Sequence, residues 1–252
     1  MNSEERMQIV RRVVKQALDT FEKTEQYEAV LLCEGDENSI DVALYRAVYP
    51  HLLVIPTGGC SHITTLINSI RKRLPCIQVF GIIDRDSLSK SEVRGYKEEN
   101  GIYCTKLPFI ENIIACPEIL RILCDVRTCD YDEGVDMVRK RLMRNLSQKL
   151  RSALPINIGM PNDECVASIT IKIRGTDGSF VEKTVNESNI IYAYRDKAVA
   201  NESADILGII GRERYYTLVK KSLGIPVIGH KLVQRASSYL PLIKVEPPKK
   251  EV

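Results

Sequence analysis

The sequence predicts an α/β fold built on a parallel four-stranded sheet, and two observations predict it. Between residues 27 and 125, short and continuously apolar runs alternate with amphipathic stretches of helical length. Outside that region the alternation stops, with a lone helix before it and a mostly helical region after it. Strands covered by helices on both faces read as unbroken apolar runs, so the alternation specifies a parallel sheet inside two helical layers.

The elements follow in order. Residues 3–23 place Met7, Val10, Val13, Val14, Ala17, Leu18 and Phe21 at helical spacing, with Glu4 and Glu5 in the first turn. The polar face carries Arg11, Arg12 and Lys15, and the expected role is a helix packed on its own domain, with docking on a partner chain as the alternative. Strands are expected at 29–33, 51–55, 77–83 and 102–107, and helices at 41–49, 63–74, 90–99 and 111–124. Pro117 breaks or restarts the last of these helices. Further on, Val135, Val138, Leu142, Leu146 and Leu150 form a helical stripe opposite a basic face that includes Arg139 and Arg144. Apolar runs at 166–174 and 180–185 flank Gly175-Thr176-Asp177-Gly178, a β-hairpin signal. Residues 203–223 and 228–240 read as helices separated by Gly224-Ile225-Pro226, and the tail from Val245 reads as disordered. The expected organisation is therefore an N-terminal amphipathic helix (1–26), an α/β core (27–127) and a helical and hairpin region (128–252) for docking or dimerisation.

Composition bounds the function. The chain has 252 residues, 44% hydrophobic and 27% charged, typical of a globular protein. Its 36 basic and 33 acidic side chains leave a net charge of +3, too small to specify nucleic-acid binding without local clustering. The opening MNSEERMQIVRR is too charged for a secretory signal, and no apolar run reaches membrane-spanning length. Eight cysteines include no CxxC pair, which argues against structural zinc. The expectation is a cytoplasmic protein with reduced thiols and no membrane partner.

Three carboxylates carry the chemical signal. Glu34 follows the first expected strand, Asp84 ends the third, and Asp86 stands two residues later. Ligand sites in open α/β sheets lie outside the carboxyl ends of the strands, where all three fall. In an extended segment Asp84 and Asp86 would point to the same side. Gly35, directly after Glu34, permits a tight turn and close approach to a ligand. Carboxylates about 4 Å apart repel by roughly 1–4 kcal/mol per pair, so such a cluster implies a neutralising cation. Hard oxygen donors suit Mg²⁺ or Mn²⁺, and the chemistry that fits is metal-assisted attack on a phosphodiester. The turn Thr57-Gly58-Gly59 precedes a helix and can offer backbone N–H groups to a phosphate, with His62 beside it.

At LLCEGD around Glu34 and FGIIDRD around Asp84 and Asp86, the sequence resembles the Toprim fold of topoisomerases, bacterial primases and OLD-family nucleases. The segment LPFIENIIACPEIL (107–120) is similar to the Ile-Glu-Asn motif of standalone, OLD-like Toprim proteins, which occur with ATPase partners in bacterial anti-phage systems such as PARIS. The resemblance covers about residues 27–125. It implies that Glu34, Asp84 and Asp86 are metal ligands, or for Glu34 a general base. It implies Glu111 as a further acidic group near the metal, with helix N-terminal capping as the alternative, and Asn112 as a group that orients it. Asp36 becomes an outer-shell residue, and Asp41 opens the following helix. Where relatives often carry a basic residue after the Gly-Gly turn, this chain has Cys60, Ser61 and His62.

The function this implies is a Mg²⁺-dependent endonuclease acting on RNA, with transfer RNA a candidate, or on DNA. As a toxic effector it would be controlled by an ATPase partner, and the chain has no phosphate-binding GxxxxGK[ST] motif of its own. A homodimer is expected. The alternative is a non-catalytic Toprim-fold binding or assembly module. A topoisomerase needs a strand gate that the about 125 residues beyond the core cannot supply, and a primase would bring a zinc module. Arg71-Lys72-Arg73 and the basic face bearing Arg139 and Arg144 are candidate nucleic-acid contacts, with a solvated face as the alternative. Tyr192, Tyr194, Tyr215 and Tyr216 are candidates for base stacking.

Overall fold

The computed structural model describes residues 3–21, 23–24, 26–59, 63–86, 88–153, 168–174, 180–193, 198–209 and 211–246. The order is α1 (Ser3–Phe21), β1 (Ala29–Cys33), α2 (Ile40–Val48), β2 (Leu52–Pro56), α3 (Ile63–Arg73), β3 (Val79–Ile83), α4 (Lys90–Asn100) and β4 (Ile102–Cys104). Then come α5 (Ile110–Ile114), α6 (Pro117–Arg127), α7 (Tyr131–Ala153), β5 (Ser168–Arg174), β6 (Phe180–Asn186), α8 (Ile190–Ala193), α9 (Ala198–Ile206), α10 (Arg212–Leu223) and α11 (Pro226–Ser237). The fold is α/β, with a four-stranded all-parallel sheet in the order β2-β1-β3-β4. The chain divides into two compact units. One contains 1–85, 90–106 and 237–252; the other contains 86–89 and 107–236. These limits do not coincide with the boundary expected at residue 127, because the segment carrying α5 and α6 groups with the later helices.

The first unit holds the parallel sheet. β1 and β2 are buried at every position, as expected of central strands between helical layers. Each fully buried leucine or isoleucine there contributes roughly 1.5–3 kcal/mol. Right-handed crossovers on this strand order put α2 on one face and α3 with α4 on the other, and α3 and α4 touch. Gly81 lets α3 sit close on β3, since a Cβ there would lie 2.6 Å from Ile63 Cγ2. Helix α1 packs against α3 and buries Val10, Val13 and Ala17 of its apolar stripe, while Met7 and Leu18 stay exposed. The tail was expected to be disordered from Val245, but Glu246 exchanges backbone bonds with the Gln78 amide, with Glu246 N–H to Gln78 Oε1 at 3.1 Å. Residues 247–252 lie outside the described residues. Tyr49 Oη donates to Pro241 O at 2.7 Å and fastens the same segment to α2.

The second unit is mostly helical. Ala115, Val138, Leu142, Met143, Val185, Ile190, Ile191 and Val199 form one buried cluster in it. Strands β5 and β6 pair antiparallel from Ser168↔Asn186 to Arg174↔Phe180. The expected turn at 175–178 lies outside the described residues. Pro117 stands at the start of α6, where its missing N–H costs nothing, so the helix expected over 111–124 is two helices. The helix expected over 203–223 is likewise two, α9 and α10, with Gly208 and Gly211 between them.

Four phenols make stability depend on alkaline pH. Burial raises Tyr45 and Tyr215 well above the usual value of 10, and raises Tyr49 and Tyr216 as well. A folded-state pKa above the unfolded one gives stability that is complete below pH 10 and lost as pH rises beyond it. Urea midpoints are expected to stay level up to about pH 9 and to fall steeply above 10. The 295 nm absorbance step of these phenols should coincide with loss of circular dichroism. Full tyrosine ionisation near pH 10 in a protein that still shows native dichroism would contradict the burial.

Candidate metal and phosphate site

The sheet order locates a topological switch point. The chain leaves β1 toward β2 on one side, and β3 and β4 are added on the other. The crevice outside the carboxyl ends of β1 and β3 is where open α/β sheets bind ligands. Cys33 pairs with Ile82 in register, so Glu34 leaves β1 and Asp84 leaves β3 at the same edge, on strands about 4.8 Å apart. Both side chains are half-buried, and Asp84 Oδ1 is withdrawn from solvent.

The electrostatics of the first unit show the company these carboxylates keep. Burial raises the pKa of Tyr45 in α2, and the negative charges of Asp84 and then Asp41 raise it further. Burial likewise raises Cys33, followed by the charges of Asp41, Glu37 and Glu34, with Arg46 opposing them. Asp41 therefore does more than open α2: with Glu34 and Asp84 it adds negative charge at this edge of the sheet, which Arg46 opposes. Among the described residues no three His, Cys, Asp or Glu side chains form a group that could hold a metal ion. Mg²⁺ does not require such a cage. It commonly binds one or two carboxylates, keeps several waters and takes substrate phosphate oxygens. The hard-oxygen donors Glu34 and Asp84, one with a shielded oxygen, fit that mode.

Asp86, Glu111 and Asn112 belong to the second unit. Asp86 is exposed and left-handed, with φ 43°, uncommon for a residue with a side chain. The extended geometry expected across 84–86 therefore does not continue through Asp86, whose N–H donates to Pro108 O at 2.9 Å. Glu111 is buried in the first turn of α5 and accepts a bond from Tyr216 Oη at 2.9 Å. Asn112 is also buried, accepting from Phe109 N–H at 3.2 Å and donating to Ile191 O at 2.8 Å. Asn112 thus ties the start of α5 to α8.

The loops after β1 and β2 are linked. Gly35 and Gly58 have φ of 83° and 85°, and Gly58 N–H donates to Gly35 O at 3.0 Å. Buried Thr57 donates its hydroxyl to Cys33 O at 3.0 Å and its N–H to the same oxygen at 2.9 Å. The exits of the two strands are thereby held together beside Glu34. An open cleft of about 600 Å³ lies there, walled by these loops and by Arg12 and Gln16 of α1. Asp36 accepts Asn38 N–H at 2.8 Å and shapes the β1–α2 loop. Gly59 closes the turn, its carbonyl accepting from Thr57 Oγ1 at 3.2 Å. His62 lies outside the described residues.

Other candidates have structural partners. Arg139 pairs with Asp136 at 3.4 Å, and Arg141 with Asp205 at 2.9 Å, whereas Arg144 is exposed. Arg71 donates to Val79 O at 2.8 Å, and burial lowers its pKa. Tyr215 is fully buried and donates to Ile114 O at 2.7 Å, which removes it as a stacking surface. Tyr192 donates to Glu118 at 3.3 Å, and Tyr194 lies outside the described residues. Among the described residues no helix is long and apolar enough to cross a membrane. Comparison with protein-family models, curated proteins and solved structures finds no match, so the site's geometry and chemistry carry the functional argument.

Proposed function

We propose that the chain is a Mg²⁺- or Mn²⁺-dependent phosphodiesterase of Toprim type that cleaves nucleic acid. The observation that carries this reading is the arrival of Glu34 and Asp84 at the switch point between β1 and β3. Glu34 and Asp84 would hold the ion, which when bound supplies positive charge to the phosphate and lowers the pKa of an attacking water. The chain's own part is positional. The Thr57 bonds to Cys33 O fix the β1 exit, and with it the backbone from which the Glu34 side chain departs. If Glu34 stands free of the ion, the same position lets it take a proton from water as general base. Asp86 and Glu111 enter the proposal through the motif resemblance.

That resemblance extends the proposal to a cytoplasmic, homodimeric effector of an anti-phage system, toxic when released by an ATPase partner. The experiment is cleavage of a panel of transfer RNA, single-stranded RNA and plasmid DNA, with Mg²⁺, Mn²⁺ or EDTA. Light scattering on the same preparation reads the oligomeric state. Cleavage that requires metal supports the reading and names the polymer. Its absence both alone and with a co-expressed ATPase partner, beside unaltered folding, favours the assembly module.

A further inference from the structure

We propose that the cleft beside Glu34 seats one unstacked nucleotide of a single-stranded segment, with the Arg12 guanidinium on its phosphate. The inference rests on the phosphodiesterase reading and deepens it by naming the substrate form. The cleft belongs wholly to the first unit and has about 600 Å³ of space, within the range of small-molecule sites and ample for one nucleotide. Gly35 and Gly58 line it where the chain leaves β1 and β2, and Gly58 leaves open space where a Cβ would stand. Its wall is α1, which contributes Arg12 and Gln16.

Arg12 is exposed, and its Nη2 donates to Pro56 O at 3.3 Å, which links the guanidinium to the end of β2. A guanidinium has five N–H donors in a planar fork, so this bond leaves others to meet phosphate oxygens. The remaining lining is suited to a base rather than to a second phosphate. Gln16 offers an amide that both donates and accepts, and Asp36, one of whose oxygens holds Asn38 N–H, offers a carboxylate that accepts from amino or hydroxyl groups. Glu37 on the rim is paired with Arg46 at 2.7 Å, which offsets its repulsion of an anion. Bases of a duplex are stacked and paired, and show only their groove edges. An unpaired nucleotide can bring its phosphate and its Watson–Crick edge together into one cleft.

The test measures binding of fluorescein-labelled oligo(U) and oligo(dT), and of a duplex of mixed sequence, to the full chain with EDTA present so that no cleavage occurs. Single strands are expected to bind more tightly than the duplex. Arg12→Gln should weaken single-strand binding about 5–10-fold and reduce the slope of log K against log salt by about 0.7, the share of one phosphate contact. Arg12→Lys should restore the slope, which a merely structural role for Arg12 would not do. Gln16→Glu, which places a negative charge in the cleft without touching the Pro56 bond, should weaken binding similarly and serves if Arg12→Gln does not fold. Wild-type affinity and slope in Arg12→Gln or Gln16→Glu, or equal binding of duplex, overturns the cleft assignment. If in that case metal-dependent cleavage still requires Glu34 and Asp84, the phosphodiesterase reading stands. If wild type binds no oligonucleotide and shows no metal-dependent cleavage, both fall.

Discussion

Asp84→Asn and Glu34→Gln are each expected to lower metal-dependent phosphodiester cleavage by at least about 100-fold, or about 2.7 kcal/mol of barrier, with the fold retained. The amides keep the shape of each side chain and remove the charge that attracts the cation. Because Asp41 lies within electrostatic reach of the same buried phenol as Asp84, the edge stays negative in the Asp84 variant. Residual binding of cations by general attraction is therefore expected, whereas productive positioning is lost. A second readout separates the ion from the chemistry. Mg²⁺ at ten times its Kd stabilises the protein that binds it by roughly 1.4 kcal/mol. In a chain of this size that raises the wild-type melting temperature by a few degrees. The rise should disappear in both variants. Cleavage lost with the Mg²⁺ shift intact would make the carboxylates catalytic without being ligands, the general-base role for Glu34. Cleavage and shift both surviving in both variants would remove the switch-point site altogether.

The parts of this arrangement legible in the sequence are those set by local patterning. β1 is bounded at Ala29 and Cys33 as expected, because five consecutive buried residues leave no ambiguity of face. The acidic residues after β1 and β3 followed from the same runs. What the pattern hid was tertiary. Arg12 reads as one cation on a basic helical face, and its place at the cleft follows only from the packing of α1 on α3. Asp41 reads as a helix-start residue and also joins the negative edge. The left-handed backbone at Asp86 has only a weak local signature: aspartate tolerates that region better than most residues but seldom occupies it. Helix α8 escaped because four residues are too few for a periodicity. Gln78 holds Glu246 through a pairing 168 residues distant in sequence, which no local pattern announces.

Gly35→Ala is expected to destabilise the protein by about 2–4 kcal/mol and to damage the site with it. Two costs add. An alanine at φ 83° is strained, by about 1–3 kcal/mol. Its Cβ would also collide with Ser39 Oγ and lie 2.9 Å from Ser39 Cβ. Ser39 is the N-cap of α2, accepting Val42 N–H at 3.3 Å, and displacing it forfeits a cap worth about 1 kcal/mol. Gly58→Ala is the internal control. It has nearly the same φ, 85°, but nothing within 4 Å of an added Cβ, so it reports the backbone cost alone. The difference between the two variants in urea denaturation isolates the collision. Adding Ser39→Ala to Gly35→Ala should recover part of it, a coupling that a double-mutant cycle measures directly. Equal losses in Gly35→Ala and Gly58→Ala would mean that α2 yields without resistance. A larger loss at Gly35 fits a turn in which one glycine serves both the capped helix and the exit beside Glu34. In that case the strand exits and α2 move as one body, and cleavage should fall in Gly35→Ala even at temperatures where the protein remains folded.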